Sequence, residues 1–173
     1  MIKTYNMKQE YTYWLALANA ENIYTRRKNE ILAKIHEDNS SLAHFFTEEN
    51  NWKNRFDLSQ DEIQSLLQEK EKLNNYSFIV EDLLEQGYKI IPIFSYDYPK
   101  TLKKNLKFSS PILLYAYGNI ELLNKESVAI VGSRNANDTS LNFTDNIASL
   151  SVSDGFVVVS GYAKGVDRQA LES

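Results

Sequence analysis

Cysteine is absent from the 173 residues, and glycine and proline are scarce, with six and three residues. The lack of cysteine excludes disulfides, thiolate metal sites and cysteine nucleophiles. No apolar run approaches the length of a membrane span and the N-terminal segment lacks the apolar core of a signal peptide, so we expect a cytoplasmic protein. Neither GxGxxG nor GxxxxGK[ST] occurs, which argues against dehydrogenase and P-loop ATPase functions, and we predict no cofactor.

No glycine precedes Gly87, and this asymmetry divides the chain into two predicted domains, 1–86 and 87–173. Residues 1–86 carry 10 Lys and Arg against 15 Asp and Glu, whereas residues 87–173 carry 9 against 8. The first half is therefore acidic and the second slightly basic. We expect any anion-binding site to lie in the second half.

The first half shows apolar residues at helical spacing and is predicted to be all helical. Ser59 and Glu62 have the spacing of a capping box, and Gly87 suits the left-handed residue that ends a helix. These signals predict one long helix from about 60 to about 86. The two histidines, His36 and His44, are better explained as core or surface residues than as metal ligands.

The second half contains short apolar runs rich in branched residues, which predict four strands. The runs are Tyr88 to Ile93, Ile112 to Tyr117, Val128 to Val131 and Phe156 to Val159. Between the last two, Phe143, Ile147 and Leu150 share one face of a predicted helix that Gly155 ends. The order predicts a βαβ unit with two parallel strands.

A glycine loop follows the third predicted strand at Gly132, Ser133 and Arg134, before a helix that begins near Asp138. Gly132 allows close approach of a ligand, Ser133 offers a hydroxyl, and Arg134 can hold a phosphate with two parallel donors. Free amides of the helix add positive potential. The alternative is an ordinary tight turn with a solvated arginine.

A second loop follows the fourth predicted strand and carries Ser160, Gly161, Lys164 and Gly165. Loops that follow parallel strands leave the same edge of a sheet, so the two loops are predicted to converge on one anion. In this interpretation the glycines keep the approach open to the ligand. The alternative treats them as turn formers and Asp167 as a helix cap.

Four lysines lie in the stretch from Tyr98 to Lys107, and no acid occurs between Asp97 and Glu121. This stretch is either a second surface that binds the phosphates of a nucleic acid or simply a solvated helix face. No set of residues with the pattern of a catalytic triad is present. We therefore predict no catalytic residues and no metal site.

Four segments of the second half, in this order, resemble the DNA-processing protein A (DprA/Smf) family. They are Tyr98-Pro99, Ser110 to Asn119, Val128 to Arg134 and Val159 to Asp167. The resemblance covers residues 88 to 173. Residues 1–86 occupy the position of that family's small helical domain, either SAM-like or a degenerate helix-hairpin-helix.

The resemblance implies an α/β fold, in which a helical N-terminal domain precedes the first part of an extended Rossmann-like parallel sheet. It implies a non-enzymatic protein of natural transformation and competence that binds single-stranded DNA, forms a homodimer and helps to load a RecA-type recombinase. The family's phosphate pocket corresponds to Gly132, Ser133, Arg134, Ser160, Gly161 and Gly165, and we add Lys164 from the second loop.

Two other functions remain open. The segment from Lys164 to Arg168 is also compatible with a nucleotide-binding sensor or hydrolase on a related scaffold. The acidic first half, which has no glycine loops, could serve as a protein-interaction module. Because the sequence stops at Ser173, within or just before a predicted helix, we expect a fragment whose Rossmann-like sheet is incomplete.

Overall fold

The computed structural model describes the backbone of residues 2–173 and the side chains of residues 8–173. The chain divides into two compact units, an N-terminal unit of Met1–Ile120 and a C-terminal unit of Glu121–Ser173. The N-terminal unit contains α1 Ile2–Asn19, α2 Thr25–Glu37, α3 Leu42–Thr47, α4 Asn50–Phe56, α5 Gln60–Glu71, α6 Leu73–Glu85, β1 Lys89–Pro92, α7 Lys100–Leu106 and β2 Leu113–Ala116. The C-terminal unit contains β3 Ser127–Ala129, α8 Asp138–Ser153, β4 Val157–Val159 and α9 Val166–Glu172.

The predicted helical character of residues 1–86 is confirmed, with one difference in the last segment. Ser59 and Glu62 form both hydrogen bonds of the capping box at the start of α5. The single helix predicted from 60 to 86 is instead two helices, because Lys72 leaves helical geometry at φ −89° and ψ 2° and caps both α5 and α6. Gly87 follows α6 with φ +85°, as predicted for a helix end.

An aromatic cluster forms much of the core of the N-terminal unit. Phe45 stacks on Trp52 with ring centroids 5.4 Å apart, and its edge-to-face partners are Phe46 and Phe56. The Trp52 indole N–H donates to the Phe45 carbonyl at 2.7 Å, so burial of this large side chain leaves no polar group unpaired. Helix α1 packs against α3, α5 and α6 around this core.

The N-terminal unit also buries charged side chains, among them Glu69 and Lys28. Glu69 is 4% exposed and accepts hydrogen bonds from the Lys72 amine at 2.8 Å and from the Tyr76 hydroxyl. Burial lowers the pKa of the nearby Lys28, whose amine donates to the Ala18 carbonyl at 2.6 Å. The buried charges are thus paired or hydrogen-bonded, as their low solvation requires.

Tyr76 gives the stability of this unit a predicted pH dependence. Burial, and then the hydrogen bond to Glu69, raise the pKa of Tyr76 well above the ordinary 10.0. When the pKa of a tyrosine is higher in the folded than in the unfolded state, its contribution to the stability of the fold is complete below pH 10. That contribution is lost as pH rises further. Above pH 10 we expect the unfolding free energy of Tyr76→Phe to fall less steeply than that of the wild type, by up to about 1.4 kcal/mol per pH unit. Urea unfolding at several alkaline pH values, with the 83% exposed Tyr24→Phe as control, measures this; equal slopes would contradict it.

The strands β1 and β2 form an antiparallel pair, in which Ile90 lies opposite Tyr115 and Ile91 opposite Leu114. Ile90, Ile91 and Leu113 are buried in the same core as the helices. Residues 87–120 therefore belong to the N-terminal unit, and the compact units divide after Ile120. The predicted division at residue 87 coincides with the change from helices to strands.

The C-terminal unit has the predicted βαβ order, with β3 and β4 parallel and Val128 opposite Val158. The face of α8 that is buried carries Thr144 and Ala148. Phe143 and Leu150, which the sequence places on the apolar face, are 66% and 59% exposed. The buried surface of this helix is thus its small-residue face. None of the helices that the structure describes is both long and apolar enough to cross a bilayer.

Candidate functional site

The two glycine loops leave the same edge of the β3–β4 pair and contact each other. The Ile130 amide donates to the Val159 carbonyl at 3.0 Å, which extends the strand pairing toward the loops. Beyond it, the Val166 amide at the start of α9 donates to the Ser133 carbonyl at 3.1 Å. The convergence that parallel strands predict is present in the backbone.

Glycine is needed at two positions because the loops touch there. A Cβ at Gly165, which has φ +91°, would lie 2.2 Å from the Ser133 carbonyl oxygen. A Cβ at Gly132 would lie 2.8 Å from the Val166 side chain. Gly132 and Gly165 therefore make room for the other loop, and their predicted role in the approach of a ligand stays a prediction.

Asp167 joins the loops through its carboxylate. One carboxylate oxygen accepts the Gly132 amide at 3.0 Å, and a Cβ on Gly161 would approach the other oxygen to 3.0 Å. The protein's own carboxylate therefore occupies the backbone donor that an external anion would otherwise find at Gly132. This places Asp167 as a link between the loops.

The two serine hydroxyls form hydrogen bonds within the loops. The half-buried Ser160 hydroxyl donates to the Ile130 carbonyl at 2.7 Å, and the exposed Ser133 hydroxyl accepts the Asn135 amide at 3.1 Å. Neither serine lines the groove described next. Helix α8 begins at Asp138, as predicted, and Asn137 caps it by accepting the Ser140 amide at 2.9 Å, so one of its free amides is already satisfied.

A groove of about 420 Å³ opens beside the loop contact and is lined by three cations, Arg134, Lys164 and Arg168. We call it the cationic groove. Its remaining lining residues are Asn135, Ala136, Leu141, Gly165, Gln169 and Glu172. Arg134 and Lys164 are exposed, and neither forms an ion pair with any residue whose side chain the structure describes. These two cations are available to an anion from solvent.

Tyr162 contacts two of the residues that line the cationic groove, Arg168 and Glu172. The Arg168 guanidinium carbon lies 5.2 Å from the centre of the Tyr162 ring, and the Tyr162 hydroxyl donates to Glu172 at 2.9 Å. This hydrogen bond raises the pKa of Tyr162, so the hydroxyl stays a neutral donor. The single acid that lines the groove is therefore engaged by a tyrosine, and the guanidinium is held over an aromatic face.

Of the predicted site residues, the structure gathers Arg134, Lys164 and Gly165 around the groove. Ser160, Gly161 and Gly132 lie in the loop contact behind it, and Ser133 is exposed on the first loop. Arg168 was not among the predicted site residues. It lies on α9, close behind the second loop, and its place in the segment from Lys164 to Arg168 was the available signal.

A comparison with protein families identifies the second half of the chain. Residues 89–173 match the sequence model of the family described as DNA recombination-mediator protein A. Over this range, the chain belongs to the DprA/Smf family. The resemblance stated from the sequence is thereby confirmed.

Two curated DprA/Smf proteins illustrate the similarity. DNA processing protein DprA of Bacillus subtilis (strain 168) is 37% identical over 84 residues, covering 48% of this chain and 28% of that protein. Protein Smf of Synechocystis sp. is 29% identical over 175 residues, covering 95% of this chain and 41% of that protein. The chain thus spans well under half the length of these DprA/Smf relatives.

The fold also matches a solved DprA structure. The X-ray structure of DNA processing protein A from Streptococcus pneumoniae superimposes with a TM-score of 0.69 at 19% identity, covering 92% of this chain and 52% of that chain. At this identity the match concerns the fold alone. It confirms the predicted α/β class with a helical N-terminal region.

Proposed function

We propose that this chain is the part of a DNA-processing protein that binds single-stranded DNA through the cationic groove. The observation that carries the proposal is the convergence of Arg134 and Lys164, from two loops at one sheet edge, with Arg168 of α9, while Tyr162 holds the single lining acid. Membership of the DprA/Smf family supports a nucleic acid as the ligand. The slightly basic second half of an otherwise acidic chain favours an anion at this place.

Binding would proceed through the phosphate backbone. The Arg134 guanidinium can donate two parallel hydrogen bonds to one phosphate, and Lys164 acts as a mobile point charge beside it. Asp167 keeps both loops in register by holding the Gly132 amide. Contacts of this kind fix the strand without reading its bases, so the proposed binding is independent of sequence.

Replacement of Arg134 by alanine tests the groove. We expect at least about tenfold weaker binding to an oligothymidylate, because a hydrogen bond to a charged group contributes about 1.5–3 kcal/mol. The slope of log affinity against log salt should become shallower by about one unit. Fluorescence anisotropy of a labelled oligothymidylate at several salt concentrations measures both quantities.

Arg26→Ala serves as the control for the loss of an exposed arginine, since Arg26 lies on α2 and pairs with Glu30. Its affinity and slope should equal those of the wild type. If Arg134→Ala also left both unchanged, the proposed groove would be wrong. Tighter binding of a mononucleotide than of the oligonucleotide would favour the alternative of a nucleotide-binding sensor or hydrolase.

The remaining parts of the proposal come from the family resemblance. They are homodimer formation, assistance to a RecA-type recombinase without catalysis of its own, and a cytoplasmic location where that recombinase acts. Co-sedimentation of recombinase with oligonucleotide, in the presence and absence of this chain, tests the partner. Unchanged recombinase loading would count against this role while leaving the binding proposal intact.

A further inference from the structure

A second cavity, of about 270 Å³, lies in the N-terminal unit. We call it the aromatic slot, and its principal lining residues are Ala33, Ile93, Phe94, Lys103, Lys107 and Phe108. The walls are apolar apart from the lysines and Asn29. Phe94 and Phe108 are 45% and 48% exposed, so both rings meet solvent at the opening.

The ring of Phe94 is held from several sides. The Trp14 ring lies edge-on to it with centroids 6.3 Å apart, and the His36 ring stacks on it at 5.1 Å. The Lys103 amine lies 5.1 Å from the ring centre and donates to the Ile93 carbonyl at 3.2 Å. This wall of the slot is therefore fixed before any ligand arrives.

The opposite wall is fixed by Asn29, which is 6% exposed. Its amide donates to the Phe108 carbonyl at 2.9 Å and to the Ser110 carbonyl at 2.8 Å. Just before this turn, Lys107 has φ +51°, a conformation that costs energy for any residue except glycine. The buried amide thus holds Lys107 and Phe108 at the slot in a strained turn.

The charge at the slot is of one sign. Helix α7 carries Lys103 and Lys104, and Lys107 follows it directly. None of these three lysines forms an ion pair with any residue whose side chain the structure describes. A ligand that suits the slot therefore has a flat apolar part for the aromatic walls and a negative group for the amines.

We infer that the aromatic slot binds one unstacked base of single-stranded nucleic acid, with the base against Phe108 and the adjoining phosphate near Lys103 and Lys107. A nucleotide combines the required flat face and negative charge, and aromatic side chains are common platforms for bases. The inference rests on the proposed function in taking a single strand as ligand. It adds a separate contact in the N-terminal unit. Of the two alternatives for the lysine stretch, it favours phosphate binding over a solvated helix face.

The test uses the full chain and an oligothymidylate that carries 5-iodouracil, a base that cross-links under light to aromatic side chains stacked on it. We expect cross-links on the peptide that contains Phe94 or Phe108. Phe108→Ala should weaken binding at least about fivefold, the lower end of the range for loss of a base–aromatic stack. Lys107→Gln should make the salt dependence shallower by about one unit.

Phe78→Ala is the matched control, because Phe78 on α6 is 72% exposed and does not line the slot. Circular dichroism and thermal unfolding check that each variant folds. Cross-links confined to residues 130–168, together with unchanged binding by Phe108→Ala, would overturn the slot and leave the cationic groove standing. Loss of binding in Phe108→Ala with Arg134→Ala unaffected would support the slot and overturn the groove. No binding by the wild type would overturn both.

Discussion

Replacing Gly165 by alanine is expected to destabilise the C-terminal unit by about 3 kcal/mol or more and to disrupt the cationic groove. Gly165 has φ +91°, and a Cβ there would lie 2.2 Å from the Ser133 carbonyl oxygen and 2.9 Å from the Arg134 carbonyl group. These are backbone atoms, so no side-chain rotation relieves the contact. The loops would have to separate, which moves Arg134 away from Lys164.

Gly155→Ala separates this contact from simple backbone strain. Gly155 lies in the same unit with φ +86°, but a Cβ there would meet nothing within 4 Å. We expect a loss of about 1–2 kcal/mol from strain alone. Hydrogen exchange of peptides from residues 121–173 reports the stability of this unit directly. Equal effects of the two substitutions would show that the contact between the loops is not needed.

The convergence of the two loops could be predicted from the sequence because it depends on strand direction. Runs such as Val128 to Val131 are apolar throughout, which is typical of buried parallel strands, and each is followed by glycine. Parallel strands then place both loops at one edge. Arg134 and Lys164 could be chosen from this reasoning alone, since they are the cations that follow those glycines.

The function of each glycine could not be predicted from the sequence. A glycine that admits a ligand and a glycine that admits a neighbouring loop look the same in sequence, because both simply lack a Cβ. Only coordinates show that Gly132 meets Val166 and that Gly165 meets Ser133. The same holds for Asp167, whose carboxylate reaches the first loop across 35 positions of sequence.

The boundary between the compact units lies away from residue 87, because secondary structure and packing change at different places. Glycine first appears at Gly87, where the helices end, but β1 and β2 still bury Ile90, Ile91 and Leu113 in the helical core. The alternation of side chains along a strand predicts which residues share a face, but not what that face packs against. The single long helix was predicted for a similar reason, since the periodicity of α5 and α6 continues across the one residue, Lys72, that separates them.

Glu69→Ala is expected to lower the free energy of unfolding by about 1–3 kcal/mol, because it removes the acceptor of the buried Tyr76 hydroxyl. Glu69 accepts hydrogen bonds from both Lys72 and Tyr76, so its loss leaves the buried Tyr76 hydroxyl without an acceptor. Glu69→Gln keeps an oxygen acceptor but loses the charge, and should fall between the wild type and alanine. Glu30→Ala is the control: its side chain is 40% exposed, and its ion pairs are worth less than about 1 kcal/mol. Urea unfolding followed by fluorescence of the buried Trp14 and Trp52 measures all three. If Glu69→Ala cost no more than Glu30→Ala, Glu69 would contribute no more than a surface pair.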